Sequence, residues 1–99
     1  MNDAAPDSPE VFDRLERLLE FPVDFPMKVM GRRVDGFAQA ISELVRAHVP
    51  GFDPATIGLR SSSKGSWLSV TVVVRVDSRV QLEALYRALA GHPMVRMVL

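Results

Sequence analysis

Two adjacent arginines, Arg32 and Arg33, are the residues of this chain whose type and position point most directly to binding chemistry. They lie between Gly31 and Gly36, where an apolar run gives way to a helical pattern. The free N–H groups and the dipole of a helix N-terminus attract negative charge, and neighbouring guanidinium groups add to that attraction. This segment, which also contains Asp35, is therefore a candidate site for an anionic ligand or a carboxylate. The alternative is that the glycines only shape a turn and the arginines are solvated.

The same segment resembles the phosphate loop of acylphosphatases. In that family the loop joins the first strand to the first helix, its backbone N–H groups hold a phosphate, and an arginine directly after a Gly-Phe pair binds that phosphate. Here Gly36 and Phe37 are followed by Ala38. The asparagine that orients water in that family has no counterpart, because Asn2 is the only asparagine of the chain. We therefore favour the turn, with an acylphosphatase-like anion-binding hydrolase as the alternative function.

A second candidate contact region is the serine-rich segment 61–67, which contains Lys64 and the only tryptophan, Trp67. It resembles in part the signature of RNA-recognition motifs, in which aromatic side chains on the third strand stack on bases. Ser66 and Leu68 occupy the two aromatic positions, however, and Trp67 is one residue out of register. The net charge of zero also disfavours nucleic acid as a partner, since phosphate binding draws on a basic excess. An RNA-binding module is thus a second alternative.

Other catalytic and metal chemistry has no support in the sequence. The absence of cysteine excludes disulfides, thiolate catalysis and cysteine-ligated metals. His48 and His92 have no neighbours at ligand spacing, and no hydrolase, zinc or phosphate-loop motif is present. We predict a protein without enzymatic activity, cofactor or metal. No apolar run reaches the ~18 residues of a membrane span and the N-terminus has no signal-peptide pattern, so a cytoplasmic location is expected.

The elements that must position these residues follow from the hydrophobic pattern. Extended patterns cover residues 25–30, 56–59, 67–76 and 94–99, and helical patterns cover 34–49 and 80–90. This order predicts an α+β protein, a ferredoxin-like βαββαβ two-layer sandwich. Right-handed crossovers place both helices on one face of an antiparallel sheet and leave the other face open. A short extra helix with Ser8 as its N-cap precedes this unit, so we predict a disordered tail over 1–7 and one domain over 8–99.

The strand predicted over residues 67–76 has the clearest alternation of side chains. Its inward face, predicted to be buried against the helices, consists of Leu68, Val70, Val72, Val74 and Val76. Its outward face consists of Trp67, Ser69, Thr71, Val73 and Arg75. A basic row of Lys28, Arg75 and Arg96 on the sheet is a further hypothesis, because it depends on strand registers that the sequence does not define.

Several stretches together resemble the YbeD-like family of small uncharacterised bacterial proteins. They are residues 19–22 (LEFP), 28–31 (KVMG), 62–65 (SSKG) and 95–99 (VRMVL), with Leu85 and Tyr86 in the expected helix. The resemblance covers the chain from Leu18 onward. It implies a fold similar to ACT-type regulatory domains, which bind small effectors near the loop after the first strand and pair through sheets or helices. The family has also been linked to lipoate metabolism.

Together these features predict a non-catalytic regulatory or interaction module that senses a protein partner or a small anionic ligand. The candidate contact residues are Gly31, Arg32, Arg33, Asp35, Gly36, Lys64 and Trp67. A homo-oligomer formed through the sheet face or a sheet edge agrees with this prediction, whereas a membrane partner does not.

Overall fold

The computed structural model describes residues 9–99, in which the helices and strands follow the predicted order. The elements are α1 (Pro9–Leu18), β1 (Val23–Arg32), α2 (Phe37–His48), β2 (Gly58–Ser61), β3 (Trp67–Val76), α3 (Arg79–Ala90) and β4 (Val95–Val98), and a short 3₁₀ helix (Pro54–Thr56) precedes β2. The predicted tail and the N-cap at Ser8 lie outside the described residues. Within those residues, no helix is both long and apolar enough to cross a membrane.

The four strands form one antiparallel sheet in the order β2-β3-β1-β4. The central strands β1 and β3 pair along their full length, from Val23 opposite Val76 to Arg32 opposite Trp67. Helix α2 connects β1 to β2, α3 connects β3 to β4, and each connection passes over one intervening strand. This is the strand order of the ferredoxin-like sandwich, so the predicted fold is confirmed.

The core lies between the sheet and the helices, on the face predicted from the alternation in β3. The fully buried residues of that strand are Val70, Val72, Val74 and Val76, and Leu68 is partly buried. The helices contribute Phe37, Ile41 and Val45 from α2 and Leu82, Leu85 and Leu89 from α3. No described element covers the opposite face of the sheet, where Trp67 is 40% exposed and Val73 is 51% exposed.

The second strand begins later than the hydrophobic pattern predicts. Pro54 starts a 3₁₀ turn in place of a strand, and the carboxylate of Asp53 caps the turn by accepting a hydrogen bond from the N–H of Ala55 at 3.0 Å. The strand is therefore Gly58–Ser61 rather than 56–59. This shift places Arg60 opposite Ser69, on the open face.

The extra helix α1 packs against α3. The side chain of Phe12 is buried and meets the Tyr86 ring edge-on, with 5.9 Å between ring centroids. Arg79 at the start of α3 also forms ion pairs with Asp13 and Glu16 of α1. Partly exposed ion pairs contribute little to folding stability, whereas burial of an aromatic ring contributes much. Phe12 is therefore the main attachment of this helix.

Candidate anion-binding surface

The two contact regions that the sequence singles out lie side by side at one end of the sheet. The N–H of Arg33 donates a hydrogen bond to the carbonyl of Ser66 at 3.0 Å. Arg32 pairs with Trp67 across the β1–β3 ladder, and its guanidinium carbon lies 5.2 Å from the centroid of the Trp67 ring. Lys64 lies in the same hairpin turn and is exposed. We call Arg32, Arg33, Lys64 and Trp67 the cationic rim.

The turn between β1 and α2 is shaped by its two glycines. Gly36 precedes the helix with a φ of +85°, a left-handed conformation that favours glycine, and no side chain caps α2. The helix begins at Phe37 rather than at the predicted Val34, because Val34 belongs to the turn and its carbonyl accepts a hydrogen bond from the N–H of Phe37 at 3.2 Å. Gly31 is buried, and a Cβ atom at that position would lie 2.4 Å from the carbonyl oxygen of Met94. Gly31 therefore has a packing role, whereas Gly36 and Asp35 are exposed in the turn.

The arginines extend toward the hairpin. Arg32 lies over the Trp67 ring on the open face of the sheet. A Cβ atom on Gly65 would lie 3.1 Å from Nη1 of Arg33, so that guanidinium reaches the tip of the hairpin. Their contacts thus join the loop to the hairpin. Ala38, which is partly buried, occupies the position that carries the phosphate-binding arginine in acylphosphatases. This arrangement is suited to binding an external anion along the rim.

The positive charges of the rim have no carboxylate partner within the described residues. The ion pairs of that part of the chain join Arg75 to Asp24, Arg79 to Asp13, Glu16 and Glu83, and Arg87 to Glu83. Asp35 forms no ion pair with Arg32 or Arg33, although it lies in the same turn. An uncompensated cluster of cations creates a positive potential that attracts anionic partners.

The strand registers do not produce the basic row that the sequence suggested. Lys28 and Arg75 both lie on the open face, but Lys28 is opposite Thr71, whereas Arg75 is opposite Asp24 and pairs with it at 3.4 Å. Arg96 falls at the irregularity where β4 pairs with β1, between the partners of Met30 and Gly31. The row of Lys28, Arg75 and Arg96 is therefore not formed.

Sequence reasoning missed Arg60 and Ser69 as candidate site residues. Both lie on the open face, directly opposite each other in the β2–β3 ladder, and Met30 is opposite Ser69 in the β1–β3 ladder. The alternation along β3 already placed Ser69 and Trp67 on one face, and the structure confirms this. Nothing in the local pattern of β2 indicated which way Arg60 faces, because the predicted strand ended at residue 59 and the observed strand continues to Ser61.

The histidines have structural contacts of their own. Nδ1 of His92 accepts a hydrogen bond from the N–H of Met94 at 3.1 Å, within the turn before β4. The carbonyl of His48, at the end of α2, accepts a hydrogen bond from Nε2 of Gln81 at 3.0 Å. Among the described residues, no three histidine, aspartate or glutamate side chains are grouped so that they could hold a metal ion.

Comparison with known proteins places this chain in a bacterial family. The family model described as "Protein of unknown function (DUF493)" matches residues 16–99. A UPF0250 protein of Bordetella pertussis is 54% identical over 85% of this chain and 92% of the relative. A UPF0250 protein of Nitrosomonas europaea is 46% identical over 85% of this chain and 97% of the relative. The resemblance to the YbeD-like family is thus confirmed, and the chain belongs to the DUF493 (UPF0250) family of small bacterial proteins of unknown function.

Proposed function

We propose that this protein is a non-catalytic interaction module, which uses the cationic rim to bind a carboxylate-rich segment of a protein partner. The supporting observation is that two separate segments meet in one exposed patch, with the Arg32 guanidinium carbon 5.2 Å from the centroid of the Trp67 ring. Arginine and tryptophan are the residue types most enriched among the side chains that dominate protein interfaces. A guanidinium also matches a carboxylate with two parallel hydrogen bonds.

The shape of the rim favours a protein segment over an enclosed small molecule. The depression beside Trp67 has a volume of about 200 Å³ and is lined by Ser62, Ser63, Lys64, Ser66 and Trp67. Pockets that enclose small ligands usually have volumes of roughly 300 to 1,000 Å³. An exposed patch with unpaired cations and one aromatic ring is instead the arrangement of an interface, in which the partner supplies the other wall.

A labelled acidic peptide tests this proposal. We expect a fluorescein-labelled decaglutamate peptide to bind the wild-type protein in a fluorescence anisotropy titration at low ionic strength. Replacing Arg32, Arg33 and Lys64 with glutamine should weaken binding by at least about tenfold, since each lost charge-assisted contact removes part of the attraction. Binding to the wild-type protein should also weaken as salt is added, because the rim is exposed to solvent.

A triple variant with the same loss of charge is the control for that titration. Arg14→Gln, Arg17→Gln and Arg46→Gln remove three exposed cations from α1 and α2, and this variant should bind the peptide within about twofold of wild type when the contact is local to the rim. Equal weakening in both triple variants would show attraction to overall charge and would contradict the proposal. Far-UV circular dichroism of both variants establishes that the fold is retained.

We also expect no hydrolysis of benzoyl phosphate above the rate in buffer. Acyl phosphate hydrolysis needs a guanidinium on the phosphate and a polar group that positions water. Arg32 and Arg33 instead contact the hairpin, and Ala38 follows Phe37 where the hydrolase family has arginine. Release of phosphate measured with purified protein checks this expectation. Protein-dependent turnover that disappears in Arg32→Ala or Arg33→Ala would make the hydrolase the better assignment.

A further inference from the structure

A second depression, on the open face of the sheet, is not explained by the cationic rim. Its volume is about 260 Å³, and its lining includes Lys28, Met30, Arg60, Ser62, Trp67 and Ser69. These residues come from β1, β2, β3 and the hairpin, so the depression exists only when the sheet is assembled. We call it the sheet cup.

The registers place two cations on either side of one serine. Arg60 is directly opposite Ser69, in the β2–β3 ladder. Lys28 is opposite Thr71, one step along the same face of β3 from Ser69. Diagonal neighbours in a sheet are about 7–8 Å apart, which long side chains easily span. The ammonium of Lys28 and the guanidinium of Arg60 can therefore reach one anionic group held above Ser69.

The hydroxyl of Ser69 has no hydrogen-bond partner, although its oxygen is inaccessible to solvent. Leaving a buried hydroxyl without a partner is unfavourable, and most buried polar groups in proteins are paired. This hydroxyl lies in the lining of a cup that two cations border. Because the oxygen is closed to solvent in this rotamer, it donates to an anion in the cup only after the Ser69 side chain rotates to a staggered rotamer that faces the cup.

The charge on the open face is strongly asymmetric. Four cationic residues lie on it, Lys28, Arg32, Arg60 and Arg75, and they belong to the three strands β1, β2 and β3. The carboxylate of Asp24 on the same face is already paired with Arg75. The zero net charge of the chain therefore conceals a cationic face, which attracts phosphate ligands locally.

We infer that the sheet cup binds a nucleoside phosphate, with its phosphate between Lys28 and Arg60. Its base lies against the part of the Trp67 ring that lines the cup, away from the part that Arg32 covers. Paired cations recognise the phosphate, and an aromatic side chain supplies a stacking surface that any base can use. The cup is smaller than a pocket that would enclose a whole drug-sized ligand, so a nucleotide bound there is enclosed only in part and the rest of it stays in solvent. This inference goes beyond the proposed function, because Lys28, Arg60 and Ser69 lie outside the cationic rim.

The fluorescence of Trp67 provides a direct test, because it is the only tryptophan of the chain. The full-length protein is titrated separately with adenosine monophosphate, adenosine, inorganic phosphate and a single-stranded decaadenylate. We expect a saturable change with a nucleoside phosphate, and affinity at least about tenfold higher than for inorganic phosphate or adenosine alone. Backbone amide shifts of Lys28, Arg60 and Ser69 give a second readout that does not depend on tryptophan emission.

Single substitutions in the cup test the placement of the phosphate. Lys28→Gln and Arg60→Gln should each raise the dissociation constant by about tenfold, and Ser69→Ala by about fivefold. The matched control Arg46→Gln removes an exposed cation from α2 and should leave affinity within about twofold. The rim variant Arg33→Gln with Lys64→Gln should also leave it within about twofold, so that failure of this inference and failure of the rim proposal can be told apart.

The arms of the titration distinguish a free nucleotide from one unit of a strand. Saturable binding of the monophosphate, lost in the cup variants, supports a free nucleotide as the ligand. Binding of the decaadenylate alone, with the same loss in the variants, supports a unit of single-stranded nucleic acid. The inference is overturned if neither binds, if inorganic phosphate binds as tightly as the nucleotide, or if Lys28→Gln and Arg60→Gln bind like wild type.

Discussion

Replacing Val72 with aspartate is expected to unfold this protein. Val72 lies in the middle of β3 with no exposed surface, on the face that packs against α2 and α3. A charged group left without a partner in such a position costs about 3–5 kcal/mol or more. Domains of this size are stable by only ~5–15 kcal/mol. The urea midpoint followed by far-UV circular dichroism should fall sharply, or the variant should lack a cooperative transition altogether.

The neighbouring residue is the matched control for that experiment. Val73 lies on the open face and is 51% exposed, so Val73→Asp introduces the same side chain on the same strand but in contact with water. Its cost should be about 1 kcal/mol at most, from the lower preference of aspartate for strands. Equal destabilisation by the two substitutions would contradict the assignment of the faces of β3.

Replacing Gly31 with alanine is expected to destabilise the fold by about 1–3 kcal/mol or more, although it adds a single methyl group. The added Cβ would lie 2.4 Å from the carbonyl oxygen of Met94 and 2.7 Å from the Phe37 ring. Both neighbours are constrained, since Met94 contributes backbone and the ring of Phe37 is fully buried. These close contacts can be relieved only by a shift of β1 relative to α2 and the turn before β4. The resulting loss of stability should lower the midpoint of urea unfolding.

Gly51→Ala controls for the general effect of replacing a glycine. A Cβ atom at Gly51 would have no heavy atom within 4 Å. This variant should be neutral or stabilised by up to about 1 kcal/mol, because alanine restricts the unfolded chain. A Gly31→Ala variant as stable as Gly51→Ala would show that the close packing at the end of β1 is not required.

The candidate site could be predicted from the sequence only in part. The alternation along β3 correctly placed Trp67 and Ser69 on the open face, because successive side chains of any strand point to opposite sides. The loop with Arg32 and the hairpin with Lys64 were predicted as separate contact regions. Their contact is a consequence of the β1–β3 register, which sets Arg32 opposite Trp67.

At the start of α3, too, one contact can be predicted from the sequence and another cannot. Ser78 and Gln81 predict a capped helix, and the Ser78 hydroxyl indeed accepts a hydrogen bond from the N–H of Gln81 at 3.2 Å. The Gln81 side chain does not reach back to Ser78. Its Oε1 accepts from the N–H of Asp77 at 2.6 Å, and its Nε2 donates to the carbonyl of His48 at 3.0 Å. The second bond ties α3 to the end of α2, and no local rule predicts it.

Residue types and local spacing are enough to predict the order of the elements, the buried face of β3 and the exclusion of cysteine chemistry. Each of these depends on residue type or on spacing within one element, which the chain carries locally. The pairing of the strands, in contrast, brings Lys28, Arg60 and Ser69 to the border of one cup and sets Arg96 at an irregularity of the β1–β4 ladder. These outcomes depend on registers between strands that are distant in the chain, and a shift of one residue would turn each side chain to the opposite face.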